Sequence, residues 1–108
     1  MVEKILDGAE MPVKHIDFTY PYDEPLRKVI INIAQSSLNT LIAGGVYAAV
    51  QGPRLETAAE INRLEMDGVT IVGMTGMPEA VLAKELNMAY AAICPMVNHA
   101  AGRGQSKD

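Results

Sequence analysis

The sequence predicts an α/β fold, in which short apolar strands alternate with helices. Between residues 45 and 97, apolar runs of strand length alternate with segments of helical periodicity in the order β-α-β-α-β. This order is typical of a sheet whose strands are joined by right-handed helical crossovers. Residues of the types AVILMFWYC make up 49% of the 108 positions, which is enough for a hydrophobic core.

The N-terminal part of the chain predicts one helix. An apolar pattern over residues 13–18 favours a short strand before it. Asp23 stands where a helix N-cap is expected, and Pro25 falls in the first turn, where proline is tolerated. Apolar side chains then recur at helical spacing, so we predict a helix over residues 25–38.

The first strand and the first crossover helix follow a Gly-Gly break. The apolar run over residues 46–50 predicts the strand, and a Gln-Gly-Pro turn ends it. Thr57 and Glu60 have the spacing of a capping box, in which each side chain bonds the backbone amide of the other residue. We therefore expect a helix from Thr57 to Met66 that ends at residues 67–68, Asp-Gly.

Two further strands and a helix complete the alternation. Residues 69–74 predict the second strand, and a helix over 79–86 follows with Pro78 in its first turn. A third apolar run, residues 88–97, predicts the last strand. Residues 102–108 are polar and glycine-containing, and we expect them to form a tail without a core pattern.

Composition argues against several classes of protein. The formal net charge is −4 and the basic residues are scattered, so no nucleic-acid surface is indicated. Cys94 is the single cysteine, and we expect it to be an inert thiol buried in a strand. His15 and His99 are far apart in the sequence, so we expect no structural zinc site. The longest apolar run, interrupted by Pro95, is too short for a membrane span of about 20 residues. We therefore expect a cytoplasmic protein with neither nucleic-acid nor membrane partners.

Polar groups follow each of the three predicted strands. Residues 51–56 end in Glu56, residues 74–76 contain Thr75, and Asn98 follows the last strand. Ligands of open α/β sheets gather beyond the carboxyl ends of the strands. A carboxylate, a hydroxyl suited to an anion and a carboxamide suited to a heterocycle could therefore meet there.

Each of these groups also has a purely structural interpretation. Glu56 could merely favour the dipole of the following helix, and Asn98 could form an Asx turn. Thr75 could cap the helix that begins near Pro78, and Met74 is more typical of a core position. Pattern alone therefore predicts no more than a small-molecule α/β domain.

Two sequence blocks are more specific than this pattern. Residues 44–60 read GGVYAAVQGPRLETAAE, and residues 72–85 read VGMTGMPEAVLAKE. The first resembles the G-x-Y-x-x-x-x-G-P-x-[FL]-E-T-x-A-E signature of the purine nucleoside phosphorylase and methylthioadenosine phosphorylase family, and the second its G-M-[ST]-x-x-P-E-x-x-x-A-[KR] block. The resemblance extends over about residues 15–98. It implies part of a three-layer fold with a mixed central sheet flanked by helices.

The resemblance implies phosphorolysis by a pentosyltransferase. A purine nucleoside and phosphate react to give the free purine and a pentose 1-phosphate. Inorganic phosphate is a co-substrate, and no metal or organic cofactor is implied. Family membership also implies a homo-oligomer, either a trimer or a hexamer.

The implied site residues fall into two groups, the first of which contacts the purine. Glu56 matches the residue that bonds the N1–H side of the base, and Asn98 the one that contacts N7 and the 6-substituent. Leu55 matches a position that packs on the base. Family members with Glu and Asn at these two places act on 6-oxopurines.

The second group contacts the sugar and the phosphate. Tyr47 and Met74 match residues on the ribose, and Thr75 matches a hydroxyl that touches phosphate. The wording of both blocks is most similar to bacterial members that act on S-methyl-5′-thioinosine, releasing hypoxanthine in purine salvage. A broader specificity that includes 5′-methylthioadenosine is the alternative.

The chain departs from the family in length. Its members are roughly twice as long, and their glycine-rich phosphate loop, Arg-His pair and final helix have no counterpart in residues 1–108. We therefore expect a single partial domain over 1–108 that is inactive alone and leaves apolar faces exposed. A non-catalytic purine-binding or assembly remnant and a water-using nucleosidase are the competing hypotheses.

Overall fold

The computed structural model of the chain describes residues 15–37 and 40–104. The described part contains three helices and two strands in alternating order from the first strand onward. The elements, in chain order, are α1 (Glu24–Ser37), β1 (Tyr47–Ala49), α2 (Ala58–Met66), β2 (Ile71–Gly73) and α3 (Glu79–Glu85). This succession confirms the predicted α/β class.

Helix α1 begins where the sequence predicts. The Leu26 amide donates to the Asp23 carboxylate at 2.9 Å, and the Arg27 amide donates to the Asp23 carbonyl at 3.0 Å. Asp23 is therefore the N-cap, because it satisfies amides that have no partner within the helix. The predicted last residue, Leu38, lies outside the described residues.

Strands β1 and β2 pair in parallel. Tyr47 is opposite Ile71, and Ala49 is opposite Gly73. Hydrogen bonds extend the pairing at both ends: the Thr70 amide donates to the Val46 carbonyl at 2.9 Å, and the Val50 amide donates to the Gly73 carbonyl at 2.8 Å. Because α2 connects the strands, the three elements form the β-α-β unit that the sequence predicts; the mixed character of the sheet stays a prediction.

The predicted third strand is wrong for the described structure. Residues 88–97 belong to neither described strand, and the Tyr90 carbonyl accepts a bond from the Asp23 amide at 2.8 Å, at the start of a helix. Ile93 and Val97 are 70% and 85% exposed. An apolar run becomes a strand only where a neighbour pairs with its backbone, and composition does not supply that neighbour. Of the strand predicted over 13–18, residues 15–18 are also unpaired, and 13–14 lie outside the described residues.

The hydrophobic core of the described part is small. Three apolar side chains are buried: Ile61 of α2, and Ala80 and Ala83 of α3. Helix α1 buries none of its residues completely. The expected exposed apolar faces are therefore present. Within the described residues, no helix is both long enough and apolar enough to cross a membrane.

Candidate functional site

The carboxyl end of β1, which pairs in parallel with β2, opens into a cleft. The cleft has a volume of about 290 Å³. Its walls come from the end of β1, from residues 51–57 (the Glu56 loop) and from one side of α2. The lining residues are Val50, Gln51, Gly52, Arg54, Glu56, Glu60, Arg63 and Leu64.

Glu56 is half-buried and lines this cleft. Its contact with a purine stays a prediction. Glu56 lies immediately before Thr57, which is the N-cap of α2 and has extended backbone angles of φ −80° and ψ 161°. The capping box is present: the Thr57 hydroxyl accepts from the Glu60 amide at 3.1 Å, and the Glu60 carboxylate accepts from the Thr57 amide at 2.8 Å. The predicted start of the helix is therefore confirmed.

An arginine that the sequence analysis did not single out joins this capping box. The Arg54 guanidinium donates two parallel bonds to the Glu60 carboxylate, at 2.8 and 2.9 Å. These bonds, with that from the Thr57 amide, lower the pKa of Glu60 to about 2. The pKa of Arg54 is raised by Glu60 and, to a smaller degree, by the charge of Glu56. An arginine six residues before a capping-box glutamate is the signal that could have revealed the pair.

Met74 lies against the turn that follows β1. A Cβ atom on Gly52 would approach the Met74 sulfur to 2.7 Å, and the φ angle of Gly52 is +65°. Only glycine fits both conditions without strain. The ends of β1 and β2 are therefore packed together through Met74, which is 38% exposed.

Tyr47 covers the end of the neighbouring strand. Its hydroxyl would collide with a Cβ atom on Gly73, and its Cε1 atom lies 3.1 Å from where a Cβ on Gly76 would stand. The structure thus brings Tyr47 and Met74, the two predicted ribose contacts, to the same pair of strand ends.

Leu55 and Thr75 are exposed. Leu55 is 78% exposed, and its carbonyl accepts a bond from Arg54 Nη1 at 3.2 Å. Thr75 lies in the loop between β2 and α3, and its hydroxyl makes no hydrogen bond to the described residues. Helix α3 has Pro78 at its N-cap without a side-chain bond, so the alternative of Thr75 as a cap is not realised.

Asn98 is exposed and does not line the cleft. Its amide nitrogen donates to the His99 carbonyl at 2.9 Å. The segment after it returns to α2: a Cβ on Gly102 would stand 2.9 Å from the Cβ of Ala58. Residues 102–104 contain no buried side chain, as the predicted polar tail implies, but they contact α2; residues 105–108 lie outside the described part.

Arg103 fastens this segment along α2. Its guanidinium donates to the Asn62 side chain at 3.0 Å and to Glu65 at 2.5 Å. The helix that begins directly after Glu56 is thus also the helix to which the chain following Asn98 is bonded. The Glu56 loop and the segment that contains Gly102 and Arg103 are therefore both attached to α2.

Aromatic residues form a separate cluster. The rings of Tyr22 and Tyr90 stack with centroids 6.2 Å apart and 15° between their planes. Burial, followed by the nearby Cys94 thiol, raises the pKa of Tyr22. Cys94 itself is half-buried and outside any strand, so the predicted buried strand thiol is corrected. Among the described residues, no group of three His, Cys, Asp or Glu side chains could hold a metal ion.

Comparison with known proteins assigns the family. The sequence pattern of the phosphorylase superfamily matches residues 3–108. This chain belongs to the phosphorylase superfamily. The predicted resemblance is thereby confirmed.

Individual relatives agree with this membership. A probable S-methyl-5′-thioinosine phosphorylase of Xanthomonas campestris pv. campestris is 46% identical over 107 residues, which cover 99% of this chain and 43% of that protein. A probable 6-oxopurine nucleoside phosphorylase of Thermococcus kodakarensis is 46% identical over 106 residues, covering 94% of this chain and 40% of that protein. The chain therefore spans about two fifths of the length of these relatives.

A solved structure has the same fold. Methylthioadenosine phosphorylase from Schistosoma mansoni in complex with adenine superposes with a TM-score of 0.72 and 24% identity, over 83% of this chain and 38% of that one. The phosphorylase-type α/β fold is thus confirmed for this part of the molecule.

Proposed function

We propose that the chain forms the purine-binding side of a nucleoside phosphorylase site, and that the protein splits a 6-oxopurine nucleoside with phosphate. The proposal rests on the half-buried Glu56 residue, which lines a cleft at the carboxyl end of β1, a strand paired in parallel with β2. Ligands of open α/β sheets bind at such ends. Similarity to a probable S-methyl-5′-thioinosine phosphorylase and to a probable 6-oxopurine nucleoside phosphorylase supports this reaction.

In the proposed reaction, the bond between the purine and the anomeric carbon breaks. Its electron pair leaves with the purine, a phosphate oxygen forms the new bond to that carbon, and a purine nitrogen takes up a proton. Negative charge grows on the base as it leaves. Donors at the base, with the Asn98 amide as the candidate here, stabilise that charge best if they are already in place.

The carboxylate of Glu56 favours 6-oxopurines over 6-aminopurines. A 6-oxopurine has a hydrogen on N1, which a carboxylate accepts well, whereas N1 of a 6-aminopurine carries a lone pair that repels it. Similarity to a probable S-methyl-5′-thioinosine phosphorylase supports S-methyl-5′-thioinosine as the nucleoside and hypoxanthine as the base released.

The remaining parts of the proposal concern sugar, phosphate and assembly. Tyr47 and Met74 would contact the ribose, Leu55 the base, and Thr75 the phosphate. The exposed side chains of Leu55 and Thr75 are available for such contacts. We also propose a cytoplasmic homo-oligomer, a trimer or a hexamer, that needs inorganic phosphate as co-substrate and no further cofactor.

A purine-binding protein without phosphorolysis is the second candidate. It is favoured by the uneven set of predicted site residues: Glu56, Leu55 and Asn98 are predicted to contact the base, whereas Thr75 alone is predicted to contact phosphate. Such a protein would bind hypoxanthine and leave nucleosides intact.

The decisive experiment incubates the intact protein with S-methyl-5′-thioinosine or 5′-methylthioadenosine, with and without phosphate. The released base is measured by chromatography, and hypoxanthine binding by calorimetry. Release that requires phosphate supports the phosphorylase, release without phosphate indicates a nucleosidase, and binding without release indicates the second candidate. If the protein neither binds hypoxanthine nor releases it from a nucleoside, the proposed purine site is contradicted.

Where the protein releases the base from a nucleoside, Asn98→Asp provides a sharper test. We expect the substitution to weaken 6-oxopurine use much more than it changes folding, because a carboxylate replaces a donor at the base. Unchanged ratios of 6-oxopurine to 6-aminopurine rates would remove Asn98 from the site.

A further inference from the structure

The two peptide groups on either side of Glu56 are both held by one ion pair. The carbonyl of Leu55, which belongs to the peptide before Glu56, accepts from Arg54 Nη1 at 3.2 Å. The amide of Thr57, which belongs to the peptide after Glu56, donates to Glu60 Oε1 at 2.8 Å. Arg54 and Glu60 are in turn joined by two bonds of 2.8 and 2.9 Å.

Two fixed peptide planes determine the direction of the side chain between them. A residue has two soft backbone angles, and the peptide on each side sets one of them. Holding both peptides of Glu56 therefore fixes the direction in which its Cα–Cβ bond leaves the backbone. A carboxylate aimed in advance at its ligand loses less conformational freedom on binding.

We propose that the Arg54–Glu60 pair is a positioning device that aims the Glu56 carboxylate at the N1–H side of a 6-oxopurine. This inference rests on the proposed function, in which Glu56 accepts that hydrogen. Arg54 and Glu60 act through Glu56 and need not touch the base. Both are therefore positioning residues for purine recognition.

A role in overall folding explains this geometry less well. The side chains of Arg54 and Glu60 are 68% and 44% exposed, and exposed ion pairs add little to stability. The bidentate arrangement is geometrically specific, because the planar guanidinium fork matches a carboxylate in a way that lysine does not. What the pair adds is local geometry at Glu56.

The first test compares hypoxanthine binding by four chains: the wild type, Arg54→Met, Arg54→Lys and Arg27→Met. Arg27 is a matched control, since it also contacts a glutamate, Glu24, and a backbone carbonyl, that of Ala43 at 2.6 Å, but at α1. We expect Arg54→Met to weaken binding about tenfold, the scale of one misaligned charge-assisted bond. Arg54→Lys should fall nearly as far, and Arg27→Met should bind like the wild type.

The lysine variant separates aiming from charge. If Arg54 acted only through its positive charge near Glu56, lysine would restore binding. Loss of aim also lowers the preference for hypoxanthine over adenine, whereas general destabilisation weakens both equally. Full recovery by Arg54→Lys, or an unchanged preference in Arg54→Met, would overturn the proposal.

The second test asks whether Arg54 acts through Glu56. In a Glu56→Ala background no carboxylate remains to be aimed, so adding Arg54→Met should change the dissociation constant less than about twofold. NMR shift titration follows such weak binding. An undiminished tenfold effect in this background would show that Arg54 acts on the ligand by another route.

A readout without ligand separates this inference from the proposed function. Amide exchange at Thr57 should accelerate in Arg54→Met and stay at the wild-type rate in Arg27→Met, with circular dichroism confirming that each variant folds. If the wild type binds no purine, the proposed function fails and the aiming role fails with it. If the wild type binds but Arg54→Met binds equally well, only the positioning role is lost.

Discussion

The paired strand ends and the segment 88–97 are both apolar, but they differ in what holds them. The strand ends are fixed by bonds within one β-α-β unit, from the ladder of β1 and β2 to the Glu56 loop. Residues 88–97 stay outside any ladder of the described part, and Ile93 and Val97 remain largely exposed. Burial of apolar side chains would be favourable in both regions. Among the described residues, only the strand ends have a neighbouring strand whose backbone pairs with theirs.

The largest expected contrast comes from truncating one apolar side chain of the β-α-β unit and one of the segment 88–97. Ile61→Ala on α2 removes a side chain that is 5% exposed, and should lower the free energy of unfolding by ~2–5 kcal/mol. Ile93→Ala removes one that is 70% exposed, and should change it by less than ~0.5 kcal/mol. Urea unfolding followed by circular dichroism measures both. Equal losses would mean that residues 88–97 are packed as well as α2.

A smaller effect is expected at the turn after β1. In Gly52→Ala the new Cβ meets the Met74 sulfur at 2.7 Å and the backbone keeps a φ of +65°. We expect a loss of ~2–4 kcal/mol, from left-handed strain and overpacking together. Gly68→Ala is the matched control: its φ is +93°, but nothing lies within 4 Å, so strain acts alone. If the two variants lose equal stability in urea, the contact with Met74 carries no energy.

The capping box should contribute less again. Thr57→Ala removes the acceptor for the Glu60 amide, and should cost ~1 kcal/mol, as N-cap truncations do. Ser36→Ala near the end of α1, where the hydroxyl donates to the Ile33 carbonyl of the preceding turn, should be nearly neutral. Thermal unfolding compares the two, and a neutral Thr57→Ala would mean that Arg54 and Glu60 hold the loop without the hydroxyl.

The smallest effect is the pH dependence of the Arg54–Glu60 pair. The pKa of Glu60 is lowered to about 2 by its bonds to Arg54 and Thr57. A carboxyl whose pKa falls on folding stabilises the fold above its unfolded value, so this contribution is complete above about pH 4.5 and is lost as the pH falls toward 2. Carboxyl NMR should find the midpoint near 2 in the wild type and in Arg27→Met. In Arg54→Met it should rise, and an unmoved midpoint would contradict the assignment of the bonds.

Sequence reasoning succeeded where the determining contacts are local. The N-cap Asp23 and the capping box of Thr57 and Glu60 each depend on residues three positions apart, and both are present. The predicted strand at 88–97 failed because pairing depends on a distant backbone. The docking of Arg103 on α2 joins residues 41 and 38 positions apart, and no short motif announces it.

The candidate site divides in the same way. Glu56 and Met74 follow the strand ends that the β-α-β pattern predicts, and the ring of Tyr47, the first residue of β1, reaches the end of β2. Asn98 follows a segment without a ladder, so its place could not be deduced from that pattern. Arg54 escaped notice because an arginine in a turn is ordinary until its partner in the next helix is seen.

The attachment of Arg103 to α2 has a consequence for the order in which the chain folds. The bonds from Arg54 to Glu60 close a loop of six residues, whereas the bond from Arg103 to Asn62 closes one of 41. Closing a longer loop costs more chain entropy and takes place later on average. We therefore expect the Glu56 loop to reach its native geometry before residues 99–104 form their contacts with α2. The part of the candidate site that contains Glu56 then forms first, and the segment that contains Asn98 packs against it afterwards.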